Sequence, residues 1–224
     1  MNRSPIEHAQ IVLEHAKSSA ANFFTAFDTV RSSRGTGLGR PNNEEQDLLR
    51  SALVFATAGL DSLLKQLIRD ALPALAKSDV SVQQEFETFV QRQLRGDEEN
   101  AEGPVGHKFL ARVLVSPHPH ERLLEDYVFH LTGSSLQSVD QLFKTSKALG
   151  IDPKILKDKK DKLEKIFEAR NKIIHELDIK FGGRPGQRHR NSRNRLEFKE
   201  YTEILEGLGD EMLKGVSEKL NIDT

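Results

Sequence analysis

One short segment late in the chain combines polar side chains whose types and spacing suit acid–base chemistry. Arg170 is followed directly by Asn171, and His175 comes four residues after Asn171. A helix through this segment would hold a permanently charged guanidinium, an amide and an imidazole within about two turns. Metal-free RNA cleavage needs a group that moves a proton near neutral pH and a fixed cation that stabilises charge on phosphate. Arg170, Asn171 and His175 are therefore candidate catalytic residues.

The Arg-to-His spacing alone is a weak signal, because Arg184 and His189 repeat it in a Gly- and Pro-rich loop. Two further features favour the first pair: an Asn directly after the Arg, and a helical pattern around both residues. The structural alternative is a surface histidine beside an arginine that forms an ordinary salt bridge.

Composition excludes several classes of protein. The chain has 224 residues, with 33 Lys plus Arg, 34 Asp plus Glu and no Cys. The near-zero net charge excludes a uniformly basic nucleic-acid coat but allows a local basic patch. The lack of Cys excludes disulfides, zinc-thiolate sites and a Cys nucleophile. No His and carboxylate spacing indicates a metal, so we expect neither metal nor cofactor. With no apolar run near the length of a membrane span and no signal-peptide core, we expect a cytoplasmic protein without membrane contact.

Apolar residues recur at helical spacing along most of the chain, and no segment alternates with period two, so an all-α fold is predicted. The predicted helices cover residues 4–31, 43–72, 81–94, 109–115, 122–131, 137–149, 152–179 and 197–220. Ser4 with Glu7 and Asn43 with Gln46 are the predicted caps of the first two helices.

We expect a single domain over residues 1–224, with a helical insertion at 96–149 and a basic loop at 182–196. The loop contains five arginines and no acidic residue. It could bind RNA through contacts between the guanidinium groups and phosphate. The alternative is an ordinary solvated loop. The candidate RNA-binding residues are Arg184, Arg188, Arg190, Arg193 and Arg195.

The predicted helix over residues 152–179 carries Arg170, Asn171 and His175 and is called the motif helix below. Its helical geometry gives it an apolar and a polar face. Arg170 projects from the apolar side, because the residues one turn away include Ile166 and Ile174. An arginine there needs water, a carboxylate or a bound phosphate for its head group. It either pairs with an acid from another helix or emerges beside His175 in a cleft or subunit interface. The predicted polar stripe consists of Glu164, Glu168, Asn171, His175 and Asp178.

The Arg-Asn-x-x-x-His pattern, together with the apolar helix around residues 49–65, resembles the HEPN superfamily, and the second helix looks most like its RiboL-PSP-type members. The resemblance covers two helices and the general helical order, but not residues 80–151. It implies an up-and-down helical bundle, here with an extra N-terminal helix and the helical insertion. Many members are metal-independent endoribonucleases of bacterial toxin or anti-phage systems, whereas others have lost catalysis.

The resemblance also implies roles for individual residues. His175 would act as general base or acid, Arg170 would stabilise the phosphate charge, and Asn171 would orient His175 or a phosphate. Asp61 falls where some members place a polar residue facing the site, and Glu168 shares the stripe of His175, so both are candidate orienting residues. Some members carry a modified Tyr two positions after the His, but this chain has Leu177 there, which argues against that modification.

The expected partners are RNA, a second copy of the chain in a homodimer, and an antitoxin or other defence-system protein. The family's motifs face each other across a two-fold axis, which would supply two imidazoles. A second hypothesis is a catalytically inactive HEPN-like module that binds RNA, a nucleotide or a partner protein. A third is a plain helical scaffold in which the motif is accidental.

Overall fold

The computed structural model describes residues 4–35, 39–95, 105–180 and 189–222, and these ranges form ten helices. No strand occurs within them; Ile179 and Arg190 form one isolated antiparallel bridge. The all-α prediction is confirmed. The helices are α1 (Glu7–Ser33), α2 (Asn43–Asp70), α3 (Leu72–Ser78), α4 (Val80–Arg95), α5 (Val105–Leu114), α6 (Pro119–Thr132), α7 (Val139–Ala148), α8 (Lys154–Lys157), α9 (Lys160–Glu176) and α10 (Arg195–Leu220).

The central helix is α2, which packs against α1, α3, α6, α9 and α10. Its leucines, from Leu49 to Leu67, are almost completely buried. A helix that is apolar over so much of its circumference needs neighbours on several sides. By length and composition α2 could also span a membrane, but half of the relevant window is buried within the fold, and a core helix meets the same criterion.

The N-terminus of α2 is fixed by a capping box one residue earlier than predicted. The Asn42 side chain accepts a hydrogen bond from the Glu45 backbone at 2.9 Å, and the Glu45 carboxylate accepts one from the Asn42 backbone at 2.8 Å. Gln46, the predicted partner of the cap, is instead buried, and its side chain forms hydrogen bonds with the Arg193 backbone.

The first helix begins later than its sequence suggested. α1 starts at Glu7 with no side-chain cap, and the Ser4 hydroxyl has no hydrogen-bond partner. The predicted Ser4–Glu7 capping box is therefore wrong. What holds α1 is its long antiparallel contact with α2, in which Gly59 lets the backbone of α2 approach Ala16 closely.

The motif helix is shorter than predicted. The expected single helix over 152–179 is divided into α8 and α9, and α9 ends where Leu177 and Asp178 adopt positive φ angles of 50° and 60°. Buried apolar residues hold α9 against its neighbours, among them α2 and α7. The long apolar stripes of the motif helix and of α2 each predict a buried partner, and the two helices are indeed adjacent.

The middle of the chain is helical, as expected, in the part that is described. α6 packs on α2 and α4, and α7 packs on α4 and α9. Residues 96–104 of the proposed insertion lie outside the described ranges. The helices α6 and α7 thus pack directly on the rest of the bundle. α7 lines one groove with α9 and, together with α6, a second groove with α4.

The close approach of α1 and α2 gives a stability prediction. A methyl group added at Gly59 would lie 2.2 Å from Cβ of Ala16, so the two helices would have to separate. We expect Gly59→Ala to lower the free energy of unfolding by about 1–3 kcal/mol, as overpacked sites do. Urea unfolding followed by circular dichroism measures the change.

Gly207→Ala is the matched control. Gly207 lies in α10, and a methyl group there meets no atom within 4 Å. This substitution should stabilise the protein by about 0.5–1 kcal/mol, because alanine restricts the unfolded chain more than glycine does. Equal effects of the two substitutions would contradict the packing described here.

Candidate active site at the end of α9

Arg170 lies near the middle of the buried face of α9 and is half-buried. Its Nη1 donates to Oδ1 of Asn171 at 2.9 Å, whereas its Nε is buried without a partner. Burial lowers the pKa of Arg170, and the nearby charge of Asp61 partly offsets this effect. The guanidinium remains protonated at any physiological pH. It is a fixed cation whose donors are only partly used within the described chain.

Asp61 stands on α2 close enough to Arg170 to act on its charge. Its own carboxylate is taken by two other donors, the Leu136 backbone at 2.6 Å and the Lys65 ammonium at 3.0 Å. Asp61 therefore attaches the segment before α7 to α2 and contributes an electrostatic field at Arg170. No hydrogen bond joins Asp61 to His175.

His175 and Asn171 are exposed on the last two turns of α9. Within the described residues the His175 imidazole forms no hydrogen bond or ion pair. His175 comes five positions after Arg170, so the two side chains leave the helix about 140° apart. One chain therefore does not bring the motif arginine and histidine into contact, and no hydrogen bond joins Asn171 to His175.

Glu168, the second candidate orienting residue, is exposed and pairs with Lys172 one turn away. The hydrogen bond from Lys172 lowers the pKa of Glu168, so it stays ionised. It lies in a groove of about 430 Å³ between α7 and α9, which also includes Asn171. Four carboxylates and one lysine line this groove: Asp140, Glu164, Glu168, Glu176 and Lys172. Such a surface repels phosphate.

Directly after the motif helix, the chain is held by a buried ion cluster around Asp178. One carboxylate oxygen accepts from Nε of Arg50 at 2.9 Å and from Nε of Arg193 at 2.8 Å. The other accepts from the Asn191 amide at 2.9 Å and from Nη2 of Arg193. Asp178 was predicted to lie on the exposed stripe of the helix. That prediction is wrong, because the chain leaves the helix at Leu177 and turns Asp178 inward.

The cluster also ties the segment before α10 to α2. Arg50 donates to the Asn191 carbonyl at 2.7 Å, and the Gln46 side chain exchanges two hydrogen bonds with the Arg193 backbone. Burial raises the pKa of Asp178, but hydrogen bonds from Arg193, Arg50 and Asn191 outweigh that effect and hold it below its ordinary value. The carboxylate is therefore ionised in the folded protein.

Three arginines of the predicted basic loop have partners within the chain. Arg193 pairs with Asp178, Arg190 with Asp47 at 2.7 Å, and Arg195 with Asp28. The side chains of Arg190 and Arg195 remain 32% and 31% exposed, whereas that of Arg193 is 15% exposed. Arg184 and Arg188 lie outside the described residues.

Sequence reasoning missed the Asp178 cluster entirely. A usable signal was present, because Arg50 follows Leu49 and has the apolar residues Leu53 and Val54 one turn later on the same helix. A buried arginine requires an anionic partner. The sequence did not identify Asp178 as the acid that pairs with Arg50, since the two residues are 128 positions apart.

Comparison with known proteins gave no further information on the site. No family model matches the chain, and neither the curated proteins nor the solved structures contain a match. Within the described residues, no group of three or more His, Asp or Glu side chains is arranged to hold a metal ion.

The ion cluster predicts a strong dependence of stability on Asp178. Asp178→Asn leaves two guanidiniums facing an uncharged amide, and loss of one partner from a buried pair typically costs about 3–5 kcal/mol. Asp28→Asn removes an ion pair whose acid is half exposed, where the usual cost is about 0–1 kcal/mol. Urea unfolding of both variants compares them directly.

The same carboxylate predicts a pH dependence. Since its folded-state pKa lies below the ordinary value, its stabilisation is complete above about pH 4 and is lost as the pH falls through the folded-state pKa. Asp178→Asn should therefore flatten the acid limb of the stability curve. An acid limb as steep as that of the unmodified protein would contradict this assignment.

Proposed function

We propose that this protein is a metal-independent endoribonuclease of a bacterial toxin or anti-phage defence type. The observation that carries the proposal is the arrangement at the end of α9. Arg170 is a half-buried cation with unused donors beside Asn171, and His175 is an exposed imidazole that the rest of the described chain does not engage. The side chain of Arg170 donates to that of its neighbour Asn171, so its other donors can face a bound phosphate.

The proposed reaction is transesterification. His175 removes the proton from an RNA 2′-hydroxyl, and the resulting oxygen attacks the adjacent phosphorus. The bond from phosphorus to the 5′-oxygen breaks, and that oxygen takes a proton from a second acid. Arg170 stabilises the charge that develops on the non-bridging oxygens. The products are a 2′,3′-cyclic phosphate and a 5′-hydroxyl.

A homodimer would provide the second acid. Arg170 and His175 diverge within one chain, so two copies facing each other would combine an arginine and an imidazole from opposite subunits. Two apolar side chains at the end of the motif helix, Ile174 and Leu177, are 41% and 64% exposed. Their burial in a two-fold interface would supply hydrophobic stabilisation next to the motif.

The arginines of residues 182–196 are the proposed contacts to RNA. The acidic groove at Asn171 opposes a phosphate backbone, whereas the loop and the return segment carry Arg184, Arg188, Arg190 and Arg195. Arg193 would contribute mainly by holding this segment in place, because its guanidinium lies against Asp178. A cytoplasmic location, where RNA is the substrate, belongs to the same proposal.

A second candidate is a catalytically inactive module that binds a partner protein. The observation that favours it is the acidic groove between α7 and α9, whose carboxylates would suit a basic peptide segment. An antitoxin or defence-system protein could bind there. This function requires no reaction at His175, so the two candidates differ in the activity of the purified protein.

Substitution of the motif tests the nuclease directly. His175→Ala and Arg170→Ala should each reduce RNA cleavage in EDTA by at least about 10²-fold, the usual cost of losing a proton-transfer group or an oxyanion donor. Arg170→Lys should restore little, since lysine keeps the charge but loses the planar pair of donors. The rate of cleavage of a labelled RNA is the measurement, with circular dichroism to verify folding.

The Arg184 and His189 pair provides a control with the same spacing. Arg184→Ala with His189→Ala should weaken RNA binding at most, because Arg184 is followed by Pro185 and not by the Asn that follows the motif arginine. If the control variant alone were inactive, or if the motif variants cleaved RNA at the unmodified rate, the assignment of the motif would be wrong.

The dimer has its own test. Ile174→Asp should convert a dimer into a monomer at micromolar concentration, because the carboxylate would be buried against apolar surface. Light scattering measures the mass, and cleavage should fall together with the dimer fraction. Ile11→Asp, which changes a similarly exposed residue on α1, serves as control and should leave the mass unchanged. A monomeric unmodified protein would contradict the dimer.

A further inference from the structure

A second groove, remote in sequence from the Arg-Asn-x-x-x-His motif, lies between α4, α6 and α7. Its volume is about 400 Å³, within the range of small-molecule sites. Aromatic side chains form one part of its lining and basic side chains another. A ligand that matches both parts has a planar ring and a negatively charged group.

The aromatic part consists of Phe89, Tyr127 and His130. The rings of Phe89 and Tyr127 are 4.8 Å apart, and those of Phe89 and His130 are 5.2 Å apart. Phe89 and Tyr127 are buried and anchor this wall in the core. Rings held in this way offer a rigid surface on which a planar group can pack.

The basic part consists of Arg92 on α4 and of Lys144 and Lys147 on α7. The two lysines are three residues apart, so they project from the same face of α7. None of these three cations forms an ion pair or hydrogen bond within the described chain. By contrast, lysines elsewhere, such as Lys17 and Lys159, lie 2.7 and 2.6 Å from carboxylates. Among the described residues, Glu85 is the one acid of the lining, against the three cations Arg92, Lys144 and Lys147.

The Tyr127 hydroxyl adds a polar group to the groove. Tyr127 is 4% exposed and lines the groove. Burial and the charge of Glu85 raise the pKa of Tyr127, so the hydroxyl remains a donor at neutral pH.

We infer that this groove binds a nucleotide, with the base packed on Phe89, Tyr127 and His130 and the phosphates held by Arg92, Lys144 and Lys147. The volume accommodates one nucleotide rather than a chain, which favours a free nucleoside diphosphate over RNA. Three unpaired cations on two helices match the charge of two phosphate groups. This site does not depend on RNA cleavage at His175, and its occupation is measurable without RNA.

Calorimetric titration of the full-length protein with ADP tests the inference, with adenosine, pyrophosphate and a short oligoadenylate as separate probes. ADP should bind at least about tenfold more tightly than adenosine or pyrophosphate, because only ADP engages both parts of the groove. The double variant Lys144→Gln with Lys147→Gln should weaken ADP binding by at least about tenfold, since charge-assisted hydrogen bonds contribute that much. Tyr127→Phe should weaken it by a smaller factor while keeping the ring.

A charge-matched control separates this site from general attraction. Lys199→Gln with Lys214→Gln removes two exposed lysines of α10 and should leave ADP binding unchanged. His175→Ala should bind ADP as the unmodified protein does, so failure of the nuclease proposal would not affect this result. The inference is overturned if ADP does not bind, if both double variants behave alike, or if only pyrophosphate or the oligoadenylate binds.

Discussion

The position of the motif depends on one buried carboxylate. An ionised Asp178 in the interior is tolerated only if its charge and its oxygens are fully compensated, and Arg50, Arg193 and Asn191 together provide four hydrogen bonds. These partners come from α2 and from the segment before α10. Asp178 thereby determines where α9 ends and how the chain returns into the last helix.

That constraint explains the two environments within the motif. Arg170 lies two turns before Asp178, where α9 is packed against α2, and so its guanidinium is held near Asp61 and Asn171. His175 lies in the last turn, where the neighbouring helices no longer cover α9, and so its imidazole reaches solvent. The same helix end exposes Ile174 and Leu177. A fixed cation, a free imidazole and an apolar rim are thus consequences of where the helix stops.

The sequence predicted those features that arise from local periodicity. The helical class, the apolar face of α2 and its contact with α9 followed from spacing by threes and fours, and the half-buried setting of Arg170 followed from its apolar neighbours. Features that depend on distant partners were missed or misplaced. Asn42 rather than Asn43 caps α2, because Gln46 is committed to the Arg193 backbone. Asp178 seemed to continue a polar stripe, since nothing local reveals its pairing with Arg50.

The chemistry of the RNA ends tests the proposed function most directly. The purified protein would be incubated in EDTA with two synthetic RNAs, one of ribonucleotides throughout and one with a 2′-deoxy sugar at the cleaved position. Attack by the 2′-hydroxyl predicts 2′,3′-cyclic phosphate and 5′-hydroxyl ends from the first RNA and no cleavage at the deoxy position of the second. Cleavage at the deoxy position, ends with a 5′-phosphate, or an intact RNA after prolonged incubation would contradict the nuclease proposed for Arg170 and His175.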